Sequence, residues 1–334
     1  MNEKLIQSWA EKVRSASVSV AFPEACEEKI LLAASQAAAI GGIVPVLIGN
    51  RSEITKCAET FGIDLSGMKI IDKSEEEQFE SHIDRLVEAG TMFPRNALAR
   101  KLRDPLYYAF ALQVIREVEC VFAGLTHTTG EVILAGQIMT GLAPGISTVS
   151  SVGIMDIPSP QPNENRLLAF GDSAVCMAPT SEELADIAIS SCETVNQLMD
   201  WEPRCALLSF STDGSAEHEM VSKVREAVRI ANEKRPDLKI DGEFQLDAAI
   251  DPTVAAKKVK RESVVAGRAN IIIYPDLNAG NIGVKLMQQF THCDAYGPML
   301  QGLAYPVSDC SRSAPVTELV GNIIMLAVRA SKSR

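Results

Sequence analysis

The sequence predicts an α/β fold built around a largely parallel sheet that is flanked by helices. Short runs rich in Val and Ile alternate with segments of helical period from one end of the chain to the other, a pattern typical of strands joined by helical crossovers. The 334 residues, of which 46% are hydrophobic, can bury a substantial core and are enough for two domains. This composition excludes a disordered chain and a small disulfide-stapled protein.

Apolar runs mark the candidate strands, and helical segments lie between them. An amphipathic N-terminal helix precedes the first strand, and the clearest helix runs from Ser181 to Met199. That helix begins with a capping-box pattern of Thr180 and Glu183, and apolar residues recur on one of its faces. Two glycines and a proline in the turn 141–145 mark the predicted internal boundary. Strands are predicted over 18–22, 43–48, 69–71, 118–123, 148–155, 167–170, 206–210 and 270–274.

The charge balance restricts the possible partners. The chain has 32 Lys and Arg against 43 Asp and Glu, a formal net charge of −11, which disfavours a nucleic acid or an anionic membrane as partner. A small anionic substrate is still allowed, because a few local cations and backbone N–H groups can hold a phosphate. The eight cysteines form no C-x-x-C pair and are interpreted as reduced core residues of a cytoplasmic protein.

One uncharged stretch, from Val132 to Met155, is long enough to cross a bilayer. It contains four glycines, a proline and several Ser and Thr residues, so a buried helix, a turn and a strand are predicted there instead. The N-terminus lacks the uninterrupted apolar core of a signal peptide. We therefore expect no membrane association.

Common enzyme signatures are absent from the sequence. It contains no G-x-x-x-x-G-K-[ST] phosphate loop, no G-x-S-x-G nucleophile turn, no H-E-x-x-H metal motif and no G-x-G-x-x-G dinucleotide turn. None of the four histidines is spaced to pair with another as metal ligands. We therefore expect no dedicated metal site.

Three polar segments could carry chemistry, and the first follows the last predicted strand. Gly280 and Gly283 would allow a ligand to approach the backbone closely at the carboxyl end of this strand. Alternatively, the segment is a tight turn in which Asn278 or Asn281 caps the helix that carries Lys285.

The second segment, 306–318, opens the last apolar helix. Ser313 is the predicted N-cap and Pro315 suits the first turn. Ser311, Arg312 and the free N–H groups either hold a phosphate oxyanion or only cap the helix. Glu318 lies about one turn into this helix and would face the same place.

The third segment, 123–130, again leads from a strand to small hydroxyl residues at a helix start. Thr128 and Thr129 either cap that helix or bind an acyl or phosphoryl oxygen. His127 is either a satisfied buried histidine or part of the same site.

Motifs along essentially the whole chain resemble the phosphate acetyltransferase/phosphate butyryltransferase family. They occur in the family's order and approximate spacing. Together they are therefore specific for the family, although each motif alone is weak evidence. The motifs are Val20-Ala-Phe-Pro-Glu-Ala, Val46-Leu-Ile-Gly, Asp104-Pro-Leu-Tyr-Tyr-Ala, Ser209-Phe-Ser-Thr-Asp-Gly-Ser, Asp241-Gly-Glu-Phe-Gln-Leu-Asp, Pro275-Asp-Leu-Asn-Ala-Gly-Asn-Ile-Gly and Gly297-Pro-Met-Leu-Gln-Gly-Leu.

The resemblance implies two α/β domains of the isocitrate/isopropylmalate dehydrogenase-like type, each with a mostly parallel sheet flanked by helices. Residues 1–144 with 299–334 would form one domain and 145–298 the other, with the site in the interdomain cleft and a homodimer formed by the second domain. It also implies reversible transfer of an acetyl group between coenzyme A and phosphate, with acyl-CoA, phosphate and acyl phosphate as substrates. No metal or covalent cofactor is implied.

Site residues are carried over from the family by matching positions. Ser311 and Arg312 match the family's Ser-Arg pair, which stabilises the substrate phosphate and carbonyl, and Glu318 stands where the family usually has the Asp proposed as base. Arg85 matches a substrate-binding Arg, with Arg95 as the competing position. Further substrate-binding candidates are Thr128, Thr129, Asn278, Gly280, Asn281 and Lys285.

Three departures from the family pattern leave alternatives open. Ser313-Ala314 replaces the usual Gly-Cys, and arginines are missing at Leu134 and Gln289. The preferred acyl group could therefore be butyryl or propanoyl, or the chain could be a catalytically weak, acyl-CoA-binding regulatory homologue. A metal-dependent dehydrogenase of the isopropylmalate type would need clustered Asp ligands and a nicotinamide site, and the sequence shows neither.

Overall fold

The structure is a computed structural model, which describes residues 3–158 and 166–333. The strands are β1 (Val18–Phe22), β2 (Ile43–Gly49), β3 (Lys69–Asp72), β4 (Cys120–Ala123), β5 (Ser150–Ile157), β6 (Arg166–Gly171), β7 (Arg204–Leu208), β8 (Lys239–Phe244), β9 (Ile271–Ile273), β10 (Asp294–Gln301) and β11 (Val307–Asp309). The helices are α1 (Glu3–Val13), α2 (Glu28–Ile40), α3 (Arg51–Phe61), α4 (Glu76–Glu88), α5 (Arg95–Lys101), α6 (Pro105–Val114), α7 (Thr129–Thr140), α8 (Ser181–Met199), α9 (Glu219–Lys234), α10 (Leu246–Ile250), α11 (Pro252–Lys258), α12 (Leu277–Thr291) and α13 (Val316–Lys332).

The chain divides into two compact units. The terminal unit comprises Glu3–Ala143 with Leu303–Arg334, and the central unit comprises Pro144–Gly302. In the terminal unit the strand order is β3-β2-β1-β4-β11, and each strand is parallel to its neighbours. All five strands therefore end at the same edge of the sheet, which is where ligands bind in open parallel sheets.

In the central unit the strand order is β10-β5-β6-β9-β7-β8. β5 runs antiparallel to β10 and β6, and the remaining neighbours are parallel. β5 ends at Ile157 and β6 begins at Arg166, a separation too short for the crossover that a parallel pair requires. The expected mixed α/β fold with a mostly parallel sheet flanked by helices is confirmed, with this antiparallel strand as its exception.

Most elements agree with the sequence-based prediction. All eight predicted strands are present with small shifts at their ends, and α8 has the predicted bounds and the predicted capping box of Thr180 and Glu183. β8, β10 and β11 were not predicted, because β8 and β10 contain charged residues or Gly and Pro, and β11 is only three residues long.

Two further expectations concern membranes and cysteines. None of the helices within 3–158 and 166–333 combines the length and apolar character that crossing a bilayer requires. All eight cysteines are free. Five of them are buried as expected, but Cys26 is exposed, and Cys57 and Cys176 are partly exposed. The prediction that every cysteine is a core residue is therefore wrong.

Candidate active site

Polar residues follow three neighbouring parallel strands of the terminal unit, β1, β4 and β11. Glu24 comes two residues after β1, the segment 124–128 connects β4 to α7, and Cys310–Ser313 directly follows β11. Because β4 pairs with both β1 and β11 in parallel register, the three segments lie at one edge of the sheet.

Glu24 holds the segment after β4 in place. Its carboxylate accepts hydrogen bonds from the four backbone N–H groups of 124–127, at 2.8 to 3.3 Å. The Thr126 hydroxyl and the His127 ring nitrogen Nδ1 bond to the same carboxylate at 2.9 and 2.8 Å. Burial alone would raise the pKa of Glu24, but these hydrogen bonds outweigh burial and lower it. Glu24 is therefore a buried, ionised anchor for the start of α7.

The two threonines at this helix start have different partners. Thr128 is the N-cap of α7 and forms a capping box with Glu131, so its predicted capping role is confirmed. The Thr129 hydroxyl donates a hydrogen bond to the carboxylate of Asp309, the last residue of β11. Thr129 thereby connects the start of α7 to the segment that carries Ser311 and Arg312.

Ser311 and Arg312 lie on an exposed turn between β11 and α13. The Ser311 and Ser313 hydroxyls are 3.0 Å apart, and the Lys29 ammonium donates to the carbonyl oxygen of Ala314 at 3.1 Å. Within the described residues, the Arg312 guanidinium has no ion-pair or hydrogen-bond partner. It is therefore available to an anion.

The predicted cap of the last helix is wrong. α13 begins at Val316, Pro315 occupies the N-cap position, and no side chain caps the first turn. Ser313 instead lies in the preceding turn, because Pro315 disfavours a helical conformation of Ala314. The N–H groups of the first turn of α13 consequently have no side-chain cap.

Glu318 lies in the first turn of α13, as predicted, and is partly buried. Burial raises its pKa, which is the direction expected of a carboxylate that must exchange a proton near neutral pH. Burial also raises the pKa of the Cys310 thiol, and the charges of Glu24, Asp309 and Glu318 add to that effect. The three carboxylates therefore share one electrostatic environment around Cys310.

Arg85 and Arg95 lie on α4 and α5 of the same unit, and each is engaged there. Arg85 forms an ion pair with Glu117 and donates to the carbonyl oxygen of Ile115 at 2.7 Å. Arg95 bonds to Asp84 at 3.1 Å and to Glu80. Among the described residues, neither guanidinium contacts Ser311, Arg312 or Glu318.

The remaining predicted site residues lie in the first nine of the 15 residues of α12 in the central unit. Asp276, not Asn278 or Asn281, is the N-cap, because its carboxylate accepts from the N–H of Ala279 at 2.9 Å. A Cβ on Gly280 would lie 2.2 Å from the carbonyl oxygen of Asp172, and the Asn281 amide donates to the Ser173 carbonyl oxygen at 3.3 Å. Asn278 and Lys285 are exposed.

The structure thus brings Thr129, Ser311, Arg312 and Glu318 to one strand edge of the terminal unit. Sequence reasoning missed Glu24 and Asp309 at that edge. The sequence pattern that could have found them is an acidic residue at or just beyond the end of a parallel strand. An acidic residue in a solvated turn has the same pattern. Among the described residues, no group of three or more His, Cys, Asp or Glu is placed to hold a metal ion.

Comparison with known proteins identifies the family. The model of the phosphate acetyl/butaryl transferase family matches residues 4–327. The chain belongs to this family. A phosphate acetyltransferase of Clostridium acetobutylicum is 40% identical over 332 residues, covering 98% of this chain and 99% of that protein. Another from Bacillus subtilis is 37% identical and covers 98% and 99%.

A solved structure extends the likeness to the fold. A phosphotransacetylase from Staphylococcus aureus superimposes with a TM-score of 0.88 at 31% identity, covering 98% of both chains. The resemblance to the phosphate acetyltransferase/phosphate butyryltransferase family is therefore confirmed. As a family member, the chain is an acyltransferase.

Proposed function

We propose that this protein is a phosphate acetyltransferase, which interconverts acetyl-CoA and phosphate with acetyl phosphate and coenzyme A. The observation that carries the proposal is the full-length likeness to relatives named phosphate acetyltransferase at 37 to 40% identity. The grouping of Ser311, Arg312 and Glu318 at one strand edge supports it.

In the proposed reaction, Glu318 removes the thiol proton of coenzyme A. The sulfur then attacks the carbonyl carbon of acetyl phosphate, a C–S bond forms, and the bond from that carbon to the phosphate oxygen breaks. The raised pKa of Glu318 supports its role as proton acceptor. Arg312 and the uncapped N–H groups at the start of α13 would hold the phosphate, and Ser311 would stabilise the carbonyl oxygen.

The other predicted residues enter the proposal as substrate contacts. Thr128 and Thr129 would bind beside Ser311, whereas Asn278, Gly280, Asn281 and Lys285 would contribute from the central unit. Arg85 would have to leave Glu117 to bind substrate. The domain limits 1–144 with 299–334 and 145–298, the interdomain cleft, the homodimer, the cytoplasmic location and catalysis without metal or cofactor stay predictions.

The test is an assay of acyl-CoA formation from coenzyme A and acyl phosphates with two, three and four carbons. We expect wild-type turnover with acetyl phosphate, a decrease in kcat of about 10²–10⁴-fold in Glu318→Gln, and a decrease in kcat/KM of about 10–100-fold in Arg312→Ala. Glu59→Gln and Arg100→Ala, two exposed helix positions, are matched controls that should keep wild-type activity.

Each result of this assay decides a different point. No turnover with any chain length would refute the enzyme and favour the regulatory homologue. Preference for the four-carbon substrate would identify a butyryltransferase. Unchanged turnover in Glu318→Gln would remove that residue as base.

A further inference from the structure

The hydrogen-bonded pair of Glu24 and His127 has no role in the reaction proposed above. The ring nitrogen Nδ1 of His127 lies 2.8 Å from the Glu24 carboxylate, whose side chain is 1% exposed, whereas the His127 side chain is 26% exposed. The backbone N–H of His127 bonds to the same carboxylate at 3.0 Å. Both the ring and the backbone of His127 are therefore fixed by one buried group.

The carboxylate also determines which ring nitrogen carries a proton. An ionised carboxylate only accepts hydrogen bonds, and the hydrogen bonds that lower the pKa of Glu24 against the effect of its burial keep it ionised. Nδ1 of His127 must then be the protonated nitrogen of the neutral ring. Nε2, which has no hydrogen-bond partner among the described residues, is left to exchange a proton with a ligand.

His127 lies close to the proposed phosphate-binding group. It directly precedes Thr128, the N-cap of α7. Thr129, two residues after His127, donates a hydrogen bond to Asp309, which lies three residues before Arg312. The segment that carries His127 and the turn that carries Arg312 are therefore joined at the same edge of the terminal unit.

The proposed reaction moves two protons, and only one of them is assigned to Glu318. Coenzyme A loses its thiol proton, and the phosphate released from the acetyl phosphate dianion gains a proton to leave as hydrogen phosphate, because the fully deprotonated trianion is a much poorer leaving group. In the opposite direction, hydrogen phosphate loses that proton as its oxygen attacks the thioester. A second group beside the phosphate would exchange its proton directly, so that Glu318 does not have to reach both the thiol and the phosphate.

We propose that His127 is the catalytic residue that exchanges this proton with the phosphate, and that Glu24 is its positioning residue. The inference rests on the proposed acyl transfer. As the bond from carbonyl carbon to phosphate oxygen breaks, the Nε2 proton of the imidazolium moves to that oxygen, while Glu318 takes the thiol proton. In the reverse direction neutral Nε2 accepts the proton of hydrogen phosphate, and protonated Glu318 returns a proton to the leaving sulfur.

The kinetic test compares His127→Ala with the wild-type enzyme. We expect kcat to fall by about 100-fold or more while KM for coenzyme A stays within about threefold, and added imidazole to restore part of kcat. Imidazole can replace a lost proton carrier but cannot restore a misfolded loop, so the rescue separates a loss of catalysis from a loss of folding.

His292→Asn, at an exposed histidine in the central unit, is the matched control and should keep wild-type kcat. A kcat within threefold of wild type in His127→Ala, or a lost kcat that imidazole does not restore, would overturn the proposal.

The second test uses ¹⁵N NMR of histidine-labelled full-length protein, in which only four histidines give ring signals. We expect the neutral His127 ring to carry its proton on Nδ1 in the wild type and to lose that preference in Glu24→Gln, with a parallel fall in kcat. A neutral ring protonated on Nε2 in the wild type would refute the Glu24 assignment. The NMR signal does not depend on turnover. If the proposed acyl transfer is wrong, the wild-type protein will be inactive, but the protonated nitrogen of His127 can still be identified. The failure of the acyl transfer and the failure of the Glu24 assignment are therefore distinguishable.

Discussion

Asp309 is a buried carboxyl group two residues before Ser311. Its oxygen Oδ2 accepts the hydroxyl of Thr129, and a Cβ on Gly124 would lie 2.0 Å from its oxygen Oδ1. Burial raises the pKa of Asp309 to about 6, although the Thr129 bond opposes the shift. The turn that carries Ser311 and Arg312 is therefore attached to a group that titrates below neutral pH.

Asp309→Asn should reveal this group in the pH dependence of folding. The folded protein binds the Asp309 proton more tightly than the unfolded chain, so this stabilisation is complete below 3.8 and is lost as the pH rises through about 6. Asn mimics the protonated group and does not titrate. The free energy of unfolding, variant minus wild type, should increase by about 3 kcal/mol across that window in urea titrations.

The control for this prediction is Asp64→Asn. Asp64 is exposed, and hydrogen bonds from Ser66 lower its pKa, so its variant should show a small dependence of opposite sign. A difference between Asp309→Asn and wild type that stays constant with pH would contradict the raised pKa.

Single residues also show how far sequence reasoning reaches. Ser311, Arg312 and Glu318 became candidates because a polar cluster opens an apolar helix and because they match positions of the family's motif; the cluster alone fits ordinary capping as well. Glu24 and Asp309 were not predictable, because an acidic residue after a strand has the same local pattern whether it is solvated or buried. Their burial depends on segments about 100 and 180 residues away in sequence.

At the scale of elements, helix limits were predictable where local interactions set them. α8 begins with its own capping box, which lies entirely within Thr180–Glu183. The start of α13 was mispredicted although its signal was also local, because Pro315 disfavours a helical conformation of the residue before it. The missed strands β8, β10 and β11 form by pairing with strands elsewhere in the chain. Their own residues do not show this pairing.

The start of α12 allows a matched test of close packing between elements. Gly280→Ala would place a Cβ 2.2 Å from the backbone oxygen of Asp172, whereas Gly283→Ala would meet only the Tyr274 side chain at 3.2 Å. We expect Gly280→Ala to lower the free energy of unfolding by about 2 kcal/mol. Gly283→Ala should change it by less than about 1 kcal/mol, because Ala favours the helix. Equal urea midpoints of unfolding for the two variants would show that the stability does not depend on the close approach of Gly280 to Asp172.

At the scale of the whole molecule, a net charge of −11 accompanies proposed substrates that are themselves anions. The charge disfavours a polyanionic partner through its long-range effect, whereas a small anion responds to local groups. Arg312 and the uncapped start of α13 provide such groups. The family was predictable from the order of many motifs along the chain, whereas each motif alone was weak evidence.

The predicted homodimer can be tested on an exposed apolar stripe of α12. Ile282, Leu286 and Phe290 recur every four residues on one helix face and are 56%, 51% and 80% exposed. Aromatic side chains are enriched in protein interfaces, and truncating one that is a hot spot weakens association by about 2 kcal/mol or more. Phe290→Glu should therefore raise the dimer dissociation constant by about 30-fold or more in sedimentation equilibrium, and Leu286→Glu should raise it as well.

The control is Gln288→Glu, at a residue exposed on the opposite side of the helix. If Phe290→Glu and Leu286→Glu both sediment like the wild type, α12 is not the dimer interface.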